Sequence, residues 1–224
     1  MLVISIDGAC RRNGKPNCVS AGGVFIQHYD EGLNLVQTKA LSNYETKSTN
    51  QRGELIALLT ALDYVWSAKQ ETQIITDSEY LFNAMTKEWY RSWQHKGWVT
   101  ALGEPVKNRD LWQAISQAYS RCEEAGIGIH FFHIKGHCIP FGKVTANTLL
   151  TRDPTGATLL LEVSSKYDAV CHTTKKPQLD HANELSERNN GFKLVPKTLR
   201  RFVVANVMAD AVATKCVEAA DALM

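Results

Sequence analysis

The sequence lacks several features that would place it quickly in a class. No apolar stretch approaches membrane-spanning length, and no early run resembles a signal peptide, because a charge follows the first six residues. The six cysteines are scattered without a CxxC pair, which predicts free thiols in a reducing compartment. We therefore expect a cytoplasmic protein with no membrane contact.

The chain also lacks a strong excess of charge of either sign. Its formal net charge is +2, with 44% apolar and 21% charged residues among 224, which is typical of a globular protein. This balance does not indicate a nucleic-acid partner by itself, so any basic surface must be local. The length fits one large domain or one domain with an elaboration.

Apolar periodicity predicts the order β-β-β-α-β-α-α-β for the first part of the chain. An apolar strand over residues 2–6 ends on Asp7, and two further strands are joined by the turn signal DEG. A helix starts with Thr49 or Asn50 as its N-cap, and a short strand meets the next helix at Asp77. This order is typical of an α/β sheet entered through an antiparallel meander.

The pattern loosens after the fifth predicted strand. Residues 153–170 fit a helix capped by Asp153 with Pro154 in its first position, and a hairpin that turns at DPTG is the alternative. Residues 171–197 have mixed charges and few apolar side chains, so we expect them to be irregular and exposed. A helix with regularly spaced apolar residues covers 198–224.

Three carboxylates stand at the ends of predicted elements. Asp7 follows the first strand, Glu54 lies one turn into the first long helix, and Asp77 follows the fourth strand. Separately, each has a simpler explanation, as a turn aspartate, an acid near a helix N-terminus and an N-cap. Together they favour an acidic cluster, whose repulsion a divalent cation would remove; oxygen ligands favour Mg²⁺ or Mn²⁺.

These segments resemble a type 1 ribonuclease H. The motifs DGA…NG, TNQRGEL…AL, TDSEY, W…KGW, PVKNRDLW and KGH occur in that family's order and at similar separations over residues 1–137. The resemblance implies an α/β ribonuclease-H-like fold, with a five-stranded mixed sheet flanked by helices. It also implies an enzyme that hydrolyses the RNA strand of RNA–DNA hybrids to 5′-phosphate and 3′-hydroxyl products, and a fourth carboxylate on the C-terminal helix.

The fourth carboxylate is assigned from the family's pattern Asn-x-x-x-Asp. The segment after KGH has Thr151 where the acid should be, and Asp180 and Glu184 do not match the spacing. Asn206 and Asp210 do match, and residues four apart share one helix face. We therefore assign Asp210, with a solvent-facing helical aspartate as the alternative.

This assignment leaves residues 138–200 as a family-atypical insertion in a single domain that covers residues 1–224. Loops of this length are uncommon without a purpose. The insertion could cover the substrate groove, contact a protein partner or shift His137, and a packing elaboration is the simpler alternative. Nothing in the sequence suggests an obligate dimer, so we expect a monomer.

By resemblance, two Mg²⁺ ions, or Mn²⁺, would be held by the four acids. Asp7 would bridge both ions, Glu54 and Asp77 would hold one, and Asp210 would hold the other. His137, which ends the KGH motif, would assist proton transfer or product release, because its ordinary pKa lies near working pH.

By resemblance, two groups of residues would bind the hybrid. The amides of Asn13, Asn50 and Gln51 would reach bases and 2′-hydroxyls in the minor groove, and Thr49 would help the helix N-terminus to hold a phosphate. The segment 89–98 resembles the family's basic protrusion. Its members with predicted roles on the DNA strand are Trp89, Trp93 and Lys96.

Two other functions stay open at this point. One is a catalytically silent module of the same fold that binds hybrids or protein partners. The other is a DNA nuclease of the same fold. The minor-groove amides and the Trp-rich segment favour the hybrid-specific enzyme over both.

Overall fold

The computed structural model describes residues 1–134, 136, 149–152, 158–161 and 196–223. The strands are β1 (Leu2–Arg11), β2 (Val19–Tyr29), β3 (Leu35–Thr46), β4 (Thr72–Thr76), β5 (Ile129–His133), β6 (Leu149–Arg152) and β7 (Thr158–Leu161). The helices are α1 (Asn50–Ala68), α2 (Glu79–Thr86), α3 (Trp89–His95), α4 (Arg109–Glu124) and α5 (Pro196–Ala222).

Strands β1 to β5 form one mixed sheet in the order β3-β2-β1-β4-β5. The first three strands are antiparallel neighbours, whereas β4 pairs in parallel with both β1 and β5. Parallel pairs need a crossover connection, which α1 provides between β3 and β4. The predicted α/β fold with a five-stranded mixed sheet is confirmed.

Helices cover both faces of this sheet. Leu2 and Ile4 of β1 belong to a buried cluster with α1, α2 and α4, whereas Val3 belongs to a second cluster with α5. Because side chains alternate along a strand, the same alternation directs Asp7 towards α5 and Gly8 towards α1. The sheet thus separates two cores, and the acidic end of β1 lies between them.

Helix α1 begins where the sequence predicts. Its N-cap is Thr49, whose hydroxyl accepts a hydrogen bond of 3.4 Å from the Arg52 backbone N–H. Leu55, Leu58 and Leu62 are fully buried against the sheet. This cap and this apolar face fix the first turn of α1, which carries the predicted binding and acidic residues.

Strand β1 does not end at Asp7 as predicted. It continues to Arg11, opposite Val19, because the hairpin with β2 extends the ladder beyond the last β1–β4 pair, Ser5–Ile75. The Trp-rich segment forms α3, so the order contains one helix more than predicted, β-β-β-α-β-α-α-α-β. Asp7 therefore lies inside the β1–β2 ladder and just past the end of the β1–β4 ladder.

The helix predicted over residues 153–170 is wrong for Thr158–Leu161, which forms β7 and pairs antiparallel with β6. This pairing agrees with the hairpin alternative. Most of the stretch 171–197 lies outside the described residues, apart from its last two residues, which open α5. The C-terminal helix itself is confirmed.

The predictions of free thiols and of no membrane-spanning helix can be compared with the described part of the chain. Cys10, Cys18, Cys122 and Cys216 are free thiols, as predicted, and residues 138 and 171 lie outside the described ranges. Among the helices within those ranges, none combines the length and the apolar character that spanning a bilayer requires.

Adjacent glycines of β2 allow helices to approach the sheet closely on both sides. A Cβ atom on Gly23 would lie 2.5 Å from the backbone N of Ala213 in α5 and closer still to the carbonyl O of Ala209. A Cβ on Gly22 would collide with the backbone of Ala57 in α1. The position of α5 over β2 therefore requires glycine at position 23.

We expect Gly23→Ala to lower the free energy of unfolding by about 2 kcal/mol, because overpacking forces backbone to move. Urea unfolding followed by circular dichroism measures this change. Gly128→Ala is the control, since a Cβ there would make an ordinary contact of 3.4 Å with the flexible side chain of Glu71. Equal stability of the two variants would contradict the close packing of α5 on Gly23.

Candidate active site

The site is built around Asp7, at the point where β1 has passed its last pair with β4. Asp7 still pairs with Gly23 of β2, and the Gly8 backbone N–H donates a hydrogen bond of 2.7 Å to its carboxylate. Because β4 ends its pairing earlier, the side of β1 next to β4 is open at Asp7. Side chains from other elements can converge there.

Three further carboxylates act on Asp7 from three other elements. Burial raises the pKa of Asp7 well above its ordinary value, and the charges of Asp77, Asp210 and Glu54 raise the pKa further, in that order. The Gly8 N–H opposes these effects. The acids predicted from β1, α1, the end of β4 and α5 therefore lie within one electrostatic field.

Glu54 shares this field from the first turns of α1. Burial raises its pKa, a hydrogen bond with Ser78 opposes that shift, and the charge of Asp77 raises the pKa further. The side-chain amide of Asn50 lies 3.4 Å from the Glu54 carboxylate. Glu54 is thus held beside the end of β4 by polar contacts from its own helix and from the start of α2.

The donor chemistry of this group fits a hard divalent cation. All four side chains offer carboxylate oxygens, and their mutual repulsion is a cost that a bound Mg²⁺ or Mn²⁺ would remove. Within the described ranges, no three His, Cys, Asp or Glu side chains come close enough together to count as a metal site on distance alone. The fit of this group to a divalent cation therefore rests on the negative charge and the oxygen donors of the four carboxylates.

Part of the KGH motif lies against Asp77. Gly136 approaches the Asp77 carboxylate so closely that a Cβ atom on this glycine would collide with Oδ2. The predicted proton-transfer residue, His137, lies outside the described residues. His133 is buried and its Nε2 lies 3.2 Å from the Asp77 carbonyl oxygen.

A cavity of about 650 Å³ opens beside Glu54 and gathers most of the predicted binding residues. The predicted residues that line it are Asn13, Thr49, Asn50 and Gln51, and the others are Glu54, Ser78, Tyr80, Lys107 and Asn108. Ser78, Tyr80 and Asn108 carry no role predicted from the sequence. All three lie in the motifs TDSEY and PVKNRDLW, and their place in these motifs could have identified them as candidate binding residues.

Arg52, beside the predicted phosphate-binding Thr49, is already paired with two carboxylates. Its guanidinium bonds Glu45 at the end of β3 at 2.6 Å and Asp110 at the start of α4, also at 2.6 Å. These hydrogen bonds lower the pKa of both acids and raise that of Arg52. Arg52 therefore ties α1 to β3 and α4 in the described structure.

Trp89 and Trp93 belong to an aromatic cluster that does not line this cavity. Their ring centroids are 6.3 Å apart, Trp89 contacts Tyr80, and Trp93 contacts Trp112. Both are partly buried against the core, whereas Lys96 at the end of α3 is exposed. Tyr80 lines the cavity as well, so the cluster adjoins the cavity through this one ring.

Comparison with known proteins places the chain beside ribonucleases H. A family model described as RNase H matches residues 1–150. Ribonuclease H of Paracoccus denitrificans is 37% identical over 131 residues, 58% of this chain and 77% of that protein. Ribonuclease H of Jannaschia sp. is 35% identical over 148 residues, 66% of this chain and 87% of that protein.

The fold has a solved counterpart. The crystal structure of LC9-RNase H1, described as a type 1 RNase H with the type 2 active-site motif, superposes with a TM-score of 0.52 at 24% identity. The match covers 62% of this chain and 64% of that chain. This likeness concerns the fold. The match to the family model ends before α5, so the placement of Asp210 rests on the structure described above.

We expect Asp7→Asn to raise the free energy of unfolding in the presence of EDTA by about 1–3 kcal/mol. The substitution removes a partly buried charge that three other carboxylates repel, while it keeps the size of the side chain. Thermal unfolding in EDTA measures the gain. Glu79→Gln, at an exposed acid of α2, should stay within about 0.5 kcal/mol of wild type. A destabilised Asp7→Asn variant would contradict the repulsion.

Proposed function

The chain belongs to the ribonuclease H family of enzymes, and we propose that it is a metal-dependent endonuclease for the RNA strand of RNA–DNA hybrids. Its products would carry 5′-phosphate and 3′-hydroxyl ends. The observation that supports this most is the convergence on Asp7 of carboxylates from three other elements, which oppose its charged form together with partial burial. Such repulsion is unfavourable for folding, and a bound cation would compensate it, so the cluster indicates a functional site.

We propose that the four acids hold two Mg²⁺ ions, which Mn²⁺ can replace. Asp7, Glu54, Asp77 and Asp210 would together supply the carboxylate oxygens that hold these ions. Bound cations would lower the pKa of a water molecule and neutralise charge on the leaving 3′ oxygen. The partly buried position of Asp7 supports this role, because carboxylates in partly dry surroundings hold cations more firmly than exposed ones.

His137 would move a proton at the reaction site. Its neighbour Gly136 lies against the Asp77 carboxylate, which supports a position of the KGH loop next to the acids. A histidine can both accept and donate a proton near neutral pH. In this role, His137 would assist departure of the product.

The cavity beside Glu54 would take the minor groove of the hybrid. Asn13, Asn50 and Gln51 line it with amides, which donate and accept hydrogen bonds and so can read a 2′-hydroxyl. Thr49, at the N-terminus of α1, would hold a phosphate. Gln51 accepts a hydrogen bond of 3.3 Å from Asn108, so one wall of the cavity is braced between α1 and α4.

The DNA strand would pass along α3. Trp89 and Trp93 offer partly exposed ring surface next to the cavity, and Lys96 is an exposed cation at the end of this helix. A phosphate contact by a lysine is independent of sequence. Cytoplasmic location, a monomeric state and a protein partner at residues 138–200 stay predictions.

Cleavage of three duplexes tests the proposal. The protein should cleave the RNA of a hybrid in Mg²⁺, should lose this activity in EDTA, and should leave duplex DNA and duplex RNA intact. Cleavage of duplex DNA would favour the DNA nuclease instead. Binding of the hybrid without cleavage under all metal conditions would favour the silent module.

Asp210→Asn should reduce kcat on the hybrid by about a hundredfold or more, which corresponds to about 3 kcal/mol of transition-state stabilisation. The control on the same helix is Glu218→Gln, whose carboxylate pairs with Lys215 at 3.0 Å, and it should keep wild-type kcat. Asp180→Asn and Glu184→Gln test the other acids near the C-terminus. If Asp210→Asn stays active and one of these two variants is inactive, the fourth carboxylate of the site is the residue changed in the inactive variant.

Lys96→Gln should weaken hybrid binding and reduce the slope of log K against log salt by about one, as expected for the loss of one phosphate contact. Fluorescence anisotropy in EDTA over a series of NaCl concentrations measures both quantities without cleavage. Lys69→Gln, at the far end of α1, is the control and should leave the slope unchanged. An unchanged slope for Lys96→Gln would exclude this contact.

A further inference from the structure

The loop between β1 and β2 contains an unfavourable backbone conformation beside a predicted binding residue. Arg12 has φ 59°, in the left-handed region that residues with a Cβ atom seldom adopt. The turn is closed by hydrogen bonds from the Lys15 N–H to the Arg12 carbonyl, 2.9 Å, and from the Cys18 N–H to the Lys15 carbonyl, 3.0 Å. Something in the structure must stabilise Arg12 in this conformation.

The side chain of Arg12 makes the contacts that do so. Its Nε donates to the Asn17 carbonyl oxygen at 3.0 Å, within the same loop. Its guanidinium forms a close ion pair with Asp221 of α5, and the Arg11 guanidinium lies 3.5 Å from the same carboxylate. The side chain of Asp221 is only 14% exposed, so this ion pair is shielded from solvent compared with an ordinary surface pair.

The position of Asp221 within α5 is unfavourable for the helix alone. It lies in the last turn, where backbone carbonyls give the helix end a partial negative charge and an aspartate is repelled. The two arginines of the β1–β2 loop compensate for that repulsion. Helix stability therefore does not explain an aspartate here, whereas a role towards the loop does.

Asn13 connects this ion pair to the cavity. It follows Arg12 directly in the chain and lines the cavity beside Glu54. Whether the side chain of Asn13 points into the cavity depends on the backbone of Arg12, because a change from the left-handed region would rotate the next peptide. The carboxylate of Asp221 thus acts on Asn13 through Arg12.

We propose that Asp221 is a positioning residue for substrate recognition. It holds Arg12 in the left-handed conformation, and this presents Asn13 to the minor groove of the hybrid. The proposal rests on the function proposed above and adds a specificity-determining residue that lies outside the cavity. Asp221 itself touches neither the substrate nor the reacting atoms.

Two variants separate this role from simple attachment of α5 to the loop. Both Asp221→Asn and Arg12→Gly break the ion pair. Only Asp221→Asn leaves a residue with a Cβ atom at position 12 without its support, because glycine adopts the left-handed region readily. Attachment alone predicts the same result for both variants, whereas positioning predicts different results.

Steady-state cleavage of the hybrid in Mg²⁺ gives the first readout. Asp221→Asn should raise KM about fivefold with kcat unchanged, which corresponds to about 1 kcal/mol of lost binding. Arg12→Gly, alone or combined with Asp221→Asn, should stay within about twofold of the wild-type KM. A difference of this size is the usual deviation from additivity for independent substitutions. Asp63→Asn breaks an exposed surface pair with Arg121, 3.1 Å, away from the loop, and is the control for loss of an aspartate charge.

An equal rise of KM in Arg12→Gly and Asp221→Asn would overturn the proposal, since attachment or a direct substrate contact of Arg12 would then explain the data. A fall in kcat with unchanged KM in Asp221→Asn would also overturn it, because the helix that carries Asp210 would have moved. Unchanged KM and kcat in Asp221→Asn would show that the ion pair positions nothing.

A second readout needs no substrate. The backbone and side-chain amide signals of Asn13 in a proton–nitrogen NMR spectrum should shift in Asp221→Asn and stay in place in Asp63→Asn. If the wild-type protein cleaves no hybrid, the proposed function fails, and these signals still decide whether Asp221 positions Asn13. Unshifted signals in Asp221→Asn would overturn the positioning role even in an active enzyme.

Discussion

The rest of the structure depends on holding four carboxylates together against their mutual repulsion. Asp7 is partly buried, and its charged form is opposed both by burial and by the charges of Asp77, Asp210 and Glu54. These four side chains come from β1, the end of β4, α5 and α1, so the repulsion acts between elements that packing must keep in contact. The apolar clusters on both faces of the sheet supply that packing.

Glycines bring the acid-bearing elements close enough for this. A Cβ atom on Gly8 would lie 2.8 Å from the Glu54 Cγ, and Gly23 admits the backbone of α5 beside Asp7. Asp7 was open to a simpler explanation as a turn residue. The structure instead places Asp7 and Gly8 in the extended strand β1, where the glycine makes room for a helix. The same residue type serves the approach of α1 on one face of the sheet and of α5 on the other.

Local sequence patterns predicted the elements whose signals are local. The cap at Thr49 and the meander of the first three strands were found this way, and α1, β2, β3 and α5 formed as predicted. The end of β1 was missed, because its length depends on pairing with β2 across the hairpin. The strand β7 was predicted as a helix, since the pairing with β6 outweighs the apparent cap and proline signals.

Charge pairing was equally hidden from the sequence. Nothing near Arg52 in the sequence indicates that Glu45 and Asp110, from two other elements, bind its guanidinium. Contacts between residues this far apart in the chain have no local signature. The cavity shows the opposite case, because Asn13, Thr49, Asn50 and Gln51 were selected by resemblance and do line one space.

The register of α5 on the sheet follows from two acidic contacts along its length. Asp210 acts on Asp7, and Asp221 pairs with Arg11 and Arg12. Eleven residues of helix advance about 16 Å and return to the same face. Four residues of β1, from Asp7 to Arg11, advance about 13 Å, and Arg12 follows in the loop. The helix therefore runs alongside β1 with both contacts in step, and a slip of one residue would rotate both acids off that face.

That register explains how a helix reached only after a long stretch of chain can complete the acid cluster. Repulsion at Asp210 alone would drive α5 away from β1, whereas the attraction at Asp221 and the contacts of Ala209 and Ala213 with Gly23 hold it in place. Phe202 adds an aromatic contact with Phe132 of β5, with ring centroids 5.2 Å apart. The stabilising contacts thus lie on either side of the repelling one, so α5 cannot relieve the repulsion by tilting or by sliding without losing one of them.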